Sequence, residues 1–180
     1  TKIMAMVKAF SYGSGSYETA NVLQFHNIDY LAVAYADEGL ELRKAGITTP
    51  IMIMNPEEDG FSAMLRYHLE PEIYNFRVLN LFEKAFQEEL ISDTVVPIHI
   101  KIDTGMHRLG FEEDAIDELI KRLKINSRLK IASIFSHLAV ADYKEEDDFT
   151  LRQIESFEKI SSKIIKEFKL NENSFIRLSK

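Results

Sequence analysis

The sequence predicts an α/β fold built on a parallel sheet, and two features of the chain indicate this. Hydrophobic runs of strand length recur along the 180 residues and alternate with amphipathic segments of helix length. A parallel sheet with crossover helices requires that alternation. The composition, 46% hydrophobic and 28% charged, is typical of globular domains and allows one sizeable core. We therefore expect a single domain over residues 1–180.

Seven strands and six helices are predicted in turn. Apolar runs bounded by turn residues predict strands over residues 3–7, 30–34, 51–54, 72–74, 97–102, 131–137 and 175–178. Apolar residues at helical spacing predict helices over residues 16–25, 36–44, 57–68, 78–90, 112–123 and 149–168. This pattern fits an open doubly wound sheet as well as a (β/α)8 barrel, so periodicity does not distinguish the two folds.

Charge and composition exclude several classes of function. The formal net charge is −7 and no basic patch is evident, which argues against a nucleic-acid-binding surface. The chain has no cysteine, so it has neither disulfides nor thiolate metal sites. The five histidines lack paired spacing for metal binding, and no apolar run is long enough to span a membrane. We expect a cytoplasmic protein that binds no metal, nucleic acid or membrane.

Lys8 is the first candidate for chemistry. It ends the first predicted strand and is followed by a turn of small residues, 9–15. In α/β folds the carboxyl ends of the strands line the ligand-binding crevice. Partial burial there lowers the pKa of an amine towards its neutral, nucleophilic form, which can attack a carbonyl compound. The alternative is that Lys8 only ends the strand and extends into solvent.

Two segments resemble motifs of alanine racemases. Val-Lys-Ala at residues 7–9 followed by Tyr-Gly-Ser-Gly at 12–15 resembles the lysine motif that binds pyridoxal 5′-phosphate, although Phe10, Ser11 and Ser14 depart from the family pattern. Ile-Lys-Ile-Asp-Thr-Gly-Met-His-Arg-Leu-Gly at residues 100–110 resembles the family's internal lysine and arginine segment. The resemblance implies a (β/α)8 TIM-type barrel. We expect it to be incomplete, because such barrels need about 200–250 residues.

The same resemblance implies roles for individual residues. Lys8 corresponds to the lysine that binds the cofactor covalently and acts as one acid/base group at the substrate α carbon. Tyr12 corresponds to the tyrosine that hydrogen-bonds the cofactor phosphate. Arg108 corresponds to the arginine that reaches the cofactor and the substrate carboxylate, and Lys101 to a lysine that many members carbamylate. His137, with the segment after it, resembles the family's histidine motif, so it is both a catalytic and a cofactor-binding candidate.

For the whole chain, the resemblance implies interconversion of L-alanine and D-alanine for peptidoglycan synthesis, with pyridoxal 5′-phosphate as cofactor. The partners it implies are a small amino-acid substrate and, in the full-length protein, a second copy in a homodimer. In the family the second catalytic tyrosine comes from a carboxyl-terminal β domain, which we expect to be absent from this chain; the isolated chain should then be a poor catalyst. Two alternatives are a non-catalytic pyridoxal-phosphate-binding barrel for cofactor homeostasis and a structural domain without cofactor.

Overall fold

The computed structural model describes residues 2–89 and 95–170 in full, and the backbone of residues 176–179. The strands are β1 (Met4–Met6), β2 (Tyr30–Val33), β3 (Ile51–Ile53), β4 (Glu70–Ile73), β5 (Val96–Lys101), β6 (Leu129–His137) and β7 (Ile176–Ser179). The helices are α1 (Lys8–Tyr12), α2 (Ser16–Phe25), α3 (Ala36–Lys44), α4 (Phe61–Arg66), α5 (Phe76–Glu88), α6 (Ile116–Ile125) and α7 (Asp147–Phe168). Short 3₁₀ turns occupy Glu58–Gly60, Glu113–Ala115 and Lys144–Glu146.

The chain divides into two compact units. The first comprises Thr1–Glu72 and Arg77–Val96, and the second comprises Ile73–Phe76 and Pro97–Lys180. In the first unit, β1 to β4 lie side by side in sequence order, and each pair is parallel. In the second, β5, β6 and β7 also follow sequence order, and β6 pairs with β7 in parallel. Neither unit shows the reversal of strand order that marks a doubly wound sheet.

The core of the first unit explains why β2 and β3 are runs of mostly apolar residues. Leu31, Ile51 and Ile53 are fully buried, and Leu31 pairs with Ile51 in the parallel register. A strand covered on both faces needs apolar side chains at successive positions, so it reads as a continuous run. The covering helices add aromatic contacts; the rings of Phe61 and Phe82 meet edge to face at 5.3 Å.

The second unit is built on β5 and β6. The backbone N–H of Ile102 donates to the carbonyl oxygen of Phe135 at 2.9 Å, so the two chain segments stay hydrogen-bonded just beyond β5. Helices α6 and α7 present their apolar stripes to the core, with Leu119, Phe157 and Ile164 buried. No helix within the described ranges is both long enough and apolar enough to cross a membrane.

Most predicted elements are observed, with shifted ends. The predicted helix 57–68 is instead a 3₁₀ turn followed by the short helix α4, and His68 beyond it has a φ of 52°. The predicted strand 72–74 begins two residues earlier as β4, because Glu70 pairs with Met52 and is buried despite its charge. The predicted elements 78–90 and 175–178 correspond to α5 and β7, but residues 90 and 175 lie outside the described residues.

Candidate functional site

Lys8 lies at the carboxyl end of the parallel strands of the first unit. Strand β1 ends at Met6, and the fully buried Val7 continues its line by donating its N–H to the carbonyl oxygen of Ala32 at 2.9 Å. Lys8 follows directly and is half-buried. This is the end of the strands at which α/β folds bind ligands.

Segment α1, which begins at Lys8, is a turn with a left-handed backbone and not a regular α-helix. Ala9, Phe10, Ser11 and Tyr12 have φ angles of 50°, 56°, 50° and 56°. Left-handed geometry costs an L-residue about 1–2 kcal/mol, because Cβ crowds the following carbonyl oxygen. Four such residues in succession persist only where the surroundings determine them, and strain of this kind concentrates at functional sites.

Specific hydrogen bonds hold the left-handed turn. The carbonyl oxygen of Phe10 accepts the N–H groups of both Gly13 and Gly15 at 3.0 Å. Gly13 has a φ of 97°, a region that glycine enters without strain. At the start of the turn, the N–H of Ala9 donates to Oε1 of Glu38 at 2.6 Å. The turn leaves the side chain of Tyr12 72% exposed.

In the second unit, the loop that carries Arg108 is closed at its base. The N–H of Phe111 donates to the carbonyl oxygen of Lys101 at 2.9 Å, and the N–H of Asp103 donates to the carbonyl oxygen of Phe111 at 3.0 Å. Inside the loop, Oδ1 of Asp103 accepts the N–H groups of Gly105 at 2.8 Å and His107 at 3.1 Å. The carboxylate therefore organises the turn that leads to Arg108.

A chain of polar side chains joins this loop to β6 and α7. The hydroxyl of Ser136 donates to the carbonyl oxygen of Ile102 at 2.8 Å, which uses its single proton. The hydroxyl of Thr104, 2.8 Å from that of Ser136, must then be the donor between the two. Nε2 of Gln153 donates to Oγ1 of Thr104 at 3.2 Å, so the direction of every bond in the chain is determined.

Gln153 also holds the segment that follows β6. Its Nε2 donates to the carbonyl oxygen of His137 at 3.1 Å, and its Oε1 accepts the N–H of Ala139 at 3.0 Å. The residue is only 1% exposed, so these bonds are made in a largely dry setting. One amide thus ties the Thr104 loop and the backbone on both sides of Leu138 to helix α7.

Burial, together with nearby positive charges of the second unit, determines the protonation state of His137. Lys101 is only 4% exposed, and its Nζ lies 4.6 Å from the centre of the Phe135 ring. Burial lowers the pKa of His137 below its ordinary value of 6.5, and the positive charges of Lys101 and Arg108 lower it further. His137 is therefore neutral at pH 7, with one ring nitrogen donating and the other accepting.

The structure thus brings Lys101, Arg108 and His137 into electrostatic contact within the second unit, and it places Lys8 and Tyr12 on one turn of the first unit. The motifs in the sequence do not point to Glu38 or Gln153, although both contribute to these contacts. Glu38 is the third residue of a predicted helix, where a carboxylate often accepts backbone N–H groups. Gln153 lies four residues before Phe157 and is therefore a polar residue on the apolar stripe of the last helix.

Known proteins share both the sequence pattern and the fold. The family model described as alanine racemase, N-terminal domain, matches residues 1–175. The chain belongs to the alanine racemase family. An alanine racemase from Thermodesulfovibrio yellowstonii is 37% identical over 159 residues, which cover 88% of this chain and 41% of that protein. An amino-acid racemase from Enterococcus faecalis is 38% identical over 162 residues, or 88% of this chain and 22% of that protein.

A solved alanine racemase from Clostridium difficile 630 superimposes with a TM-score of 0.87 and 29% sequence identity, covering 99% of this chain and 48% of that one. This chain therefore spans less than half the length of these relatives. The fold is that of the alanine racemase N-terminal domain, an incomplete α/β barrel, and the barrel prediction is confirmed.

The residues present fit pyridoxal 5′-phosphate in their chemistry. The cofactor needs an amine for covalent attachment, and the half-buried Lys8 at the end of β1 provides one. Arg108, a planar cationic donor, lies on a loop with fixed hydrogen bonds in the second unit.

Proposed function

We propose that this chain is the cofactor-binding barrel of a pyridoxal-phosphate-dependent racemase that interconverts L-alanine and D-alanine. The observation that carries the proposal is Lys8, half-buried at the end of β1 and followed by four left-handed residues, in a chain of the alanine racemase family. The substrate is taken from the names of the relatives. Supply of D-alanine to peptidoglycan and a cytoplasmic location belong to the same proposal.

Lys8 carries the acid/base role on one face of the substrate. Pyridoxal 5′-phosphate, when bound, supplies the electron sink for the pair left at the α carbon once its proton is removed. Lys8 would bind the cofactor through Nζ and, once released by the substrate amine, would take and return the α proton. Tyr12, which is exposed in the first unit, would donate its hydroxyl to the cofactor phosphate.

Residues of the second unit would orient the substrate. Arg108 would bind the substrate carboxylate and approach the cofactor through its guanidinium N–H groups, which remain charged at every relevant pH. We assign to Lys101 the carbamylation that the family resemblance implies, in which its amine adds carbon dioxide with loss of a proton to give a carbamate. The carbamate would accept hydrogen bonds from Arg108. His137, neutral at pH 7, would belong to the hydrogen-bonded chain that the family resemblance implies between the catalytic tyrosine and the arginine facing the pyridine nitrogen of the cofactor.

Racemisation needs a second acid/base group on the opposite face of the α carbon. We assign that group to a tyrosine of the partner copy in a full-length homodimer, as the family resemblance implies. On this proposal the 180-residue chain binds the cofactor on Lys8 but turns alanine over poorly.

The test is covalent trapping of the cofactor. The chain is titrated with pyridoxal 5′-phosphate, reduced with borohydride, digested, and the labelled lysine identified by peptide mass. We expect saturable labelling of Lys8, with the exposed Lys2 as an internal comparison. The matched variant Lys8→Arg keeps the positive charge but cannot form the covalent bond.

Label spread evenly over surface lysines would refute the proposal. Saturable labelling of Lys8 without exchange of the α proton of either alanine enantiomer in D₂O would instead indicate the non-catalytic cofactor-binding protein.

A further inference from the structure

The carboxylate of Glu38 is engaged on two sides. Oε2 accepts the N–H of Ala34 at 2.7 Å and the N–H of Tyr35 at 3.1 Å. Both bonds lie next to helix α3, which begins at Ala36, and an acidic residue in the first turn of a helix ordinarily caps it in this way. Helix capping therefore explains Oε2 completely.

Capping does not explain Oε1. This oxygen accepts the N–H of Ala9 at 2.6 Å, from a residue 29 positions earlier in the chain. The bond adds nothing to helix α3, because Ala9 belongs to the turn after β1. A hydrogen bond to a charged acceptor is stronger than a neutral one, and this bond is short. Glu38 thus joins the segment beyond β2 to the segment beyond β1.

The bond acts on the peptide unit directly after Lys8. On the amino side of Lys8, the carbonyl oxygen of Val7 belongs to the same peptide unit as the Lys8 N–H, and it accepts the hydroxyl of Ser11 at 3.4 Å. On the carboxyl side, Glu38 fixes the plane that contains the Lys8 carbonyl and the Ala9 N–H. The backbone of Lys8 is therefore held at both ends, and the direction in which its side chain leaves the sheet is set.

Ala9 is also the first of the four left-handed residues, so the bond holds the strained turn at its entry. Other bonds of this turn are local, among them those from the N–H groups of Gly13 and Gly15 to Phe10 and from the hydroxyl of Ser11 to Val7. We propose that Glu38 is a positioning residue for Lys8, and that its Oε1 holds the left-handed turn so that the Lys8 amine meets the cofactor. This inference rests on the proposed function, in which Lys8 binds the cofactor.

The variant Glu38→Gln tests it. The amide has one acceptor oxygen, so it cannot accept from Ala9 and from the N–H groups of Ala34 and Tyr35 together. The matched control is Asp37→Asn, which removes the same charge from the same first turn at an exposed position. The first readout is hydrogen–deuterium exchange of the peptide that spans residues 9–15. The second is the pyridoxal 5′-phosphate concentration that half-saturates borohydride labelling of Lys8.

We expect Glu38→Gln to raise both the exchange rate and the half-saturating concentration about tenfold or more, since a charge-assisted bond is lost. Labelling of Lys2 should not change, and Asp37→Asn should resemble wild type in both readouts. Should Glu38→Gln not fold, as judged by circular dichroism, Glu38→Asp serves in its place. Its charge still caps α3, but its side chain is one methylene too short to serve both sides.

Three outcomes would overturn the inference, and they are distinguishable. In the first, Lys8 of the wild-type chain is labelled, and both Glu38 variants keep the wild-type half-saturating concentration and exchange rate. This would refute the inference but leave the proposed function standing. Failure of both variants to fold would assign Glu38 a purely structural role. Absence of Lys8 labelling in wild type would refute the proposed function, and this inference with it.

Discussion

Substitution of Gln153 by leucine tests the polar chain that holds the Arg108 loop and the segment after His137. Leucine has a similar size and a similar helix propensity, so the change removes hydrogen bonds without a large change in volume or backbone preference. Three bonds from the Gln153 amide disappear, to Thr104, to His137 and to Ala139. The change thus isolates the contribution of one buried amide.

The magnitude follows from those three bonds. A buried hydrogen bond contributes about 1 kcal/mol net, so the loss is about 3 kcal/mol before any gain from the buried leucine methyl groups. We expect the free energy of unfolding to fall by about 2–3 kcal/mol. For a chain of this length that lowers Tm by about 4–12 °C.

Urea denaturation followed by circular dichroism measures the change, and hydrogen–deuterium exchange locates it. Exchange should accelerate in peptides that contain residues 103–110 and 137–142. The control is Glu155→Leu, on the exposed face of the same helix, where we expect a change within about 0.5 kcal/mol. A loss below about 0.5 kcal/mol for Gln153→Leu, or equal losses in the two variants, would refute this account of the polar chain.

Two further predictions concern the second unit. The pKa of His137, measured by NMR, should lie below 6.5 and rise in Lys101→Met, because one of the two positive charges is removed. The unfolded chain then binds this proton more readily than the folded chain, so His137 makes the fold less stable as pH falls below about 6.5. If Lys101→Met left the pKa of His137 unchanged, the electrostatic contact between the two residues would be contradicted. In urea denaturation, Gly110→Ala should lower the free energy of unfolding by about 2 kcal/mol or more beyond the loss caused by Gly46→Ala. Both glycines have positive φ, so the backbone cost is similar. A Cβ at Gly110 would lie 2.3 Å from the Asp103 backbone nitrogen, whereas a Cβ at Gly46 would meet open space. Equal losses of stability in the two variants would contradict this prediction, because they would mean that the loop carrying Arg108 shifts to accept the added Cβ.

How much of the site the sequence could predict differs between its parts. Lys8 was found because a lysine after an apolar run is visible in the sequence, and its motif resembles a known one. Lys101 and Arg108 were found in the same way. Glu38 was not, because its contact with Ala9 spans 29 residues, and a first-turn glutamate reads as an ordinary cap.

The sequence by itself determined the order of strands and helices, since the period of apolar residues depends on local geometry alone. It also determined the residue types available for chemistry. Tertiary structure decided the left-handed backbone after Lys8, because no residue from Ala9 to Tyr12 favours that geometry and only bonds made by the folded chain hold it. It likewise decided the neutral state of His137, whose pKa depends on burial and on charges that folding brings near.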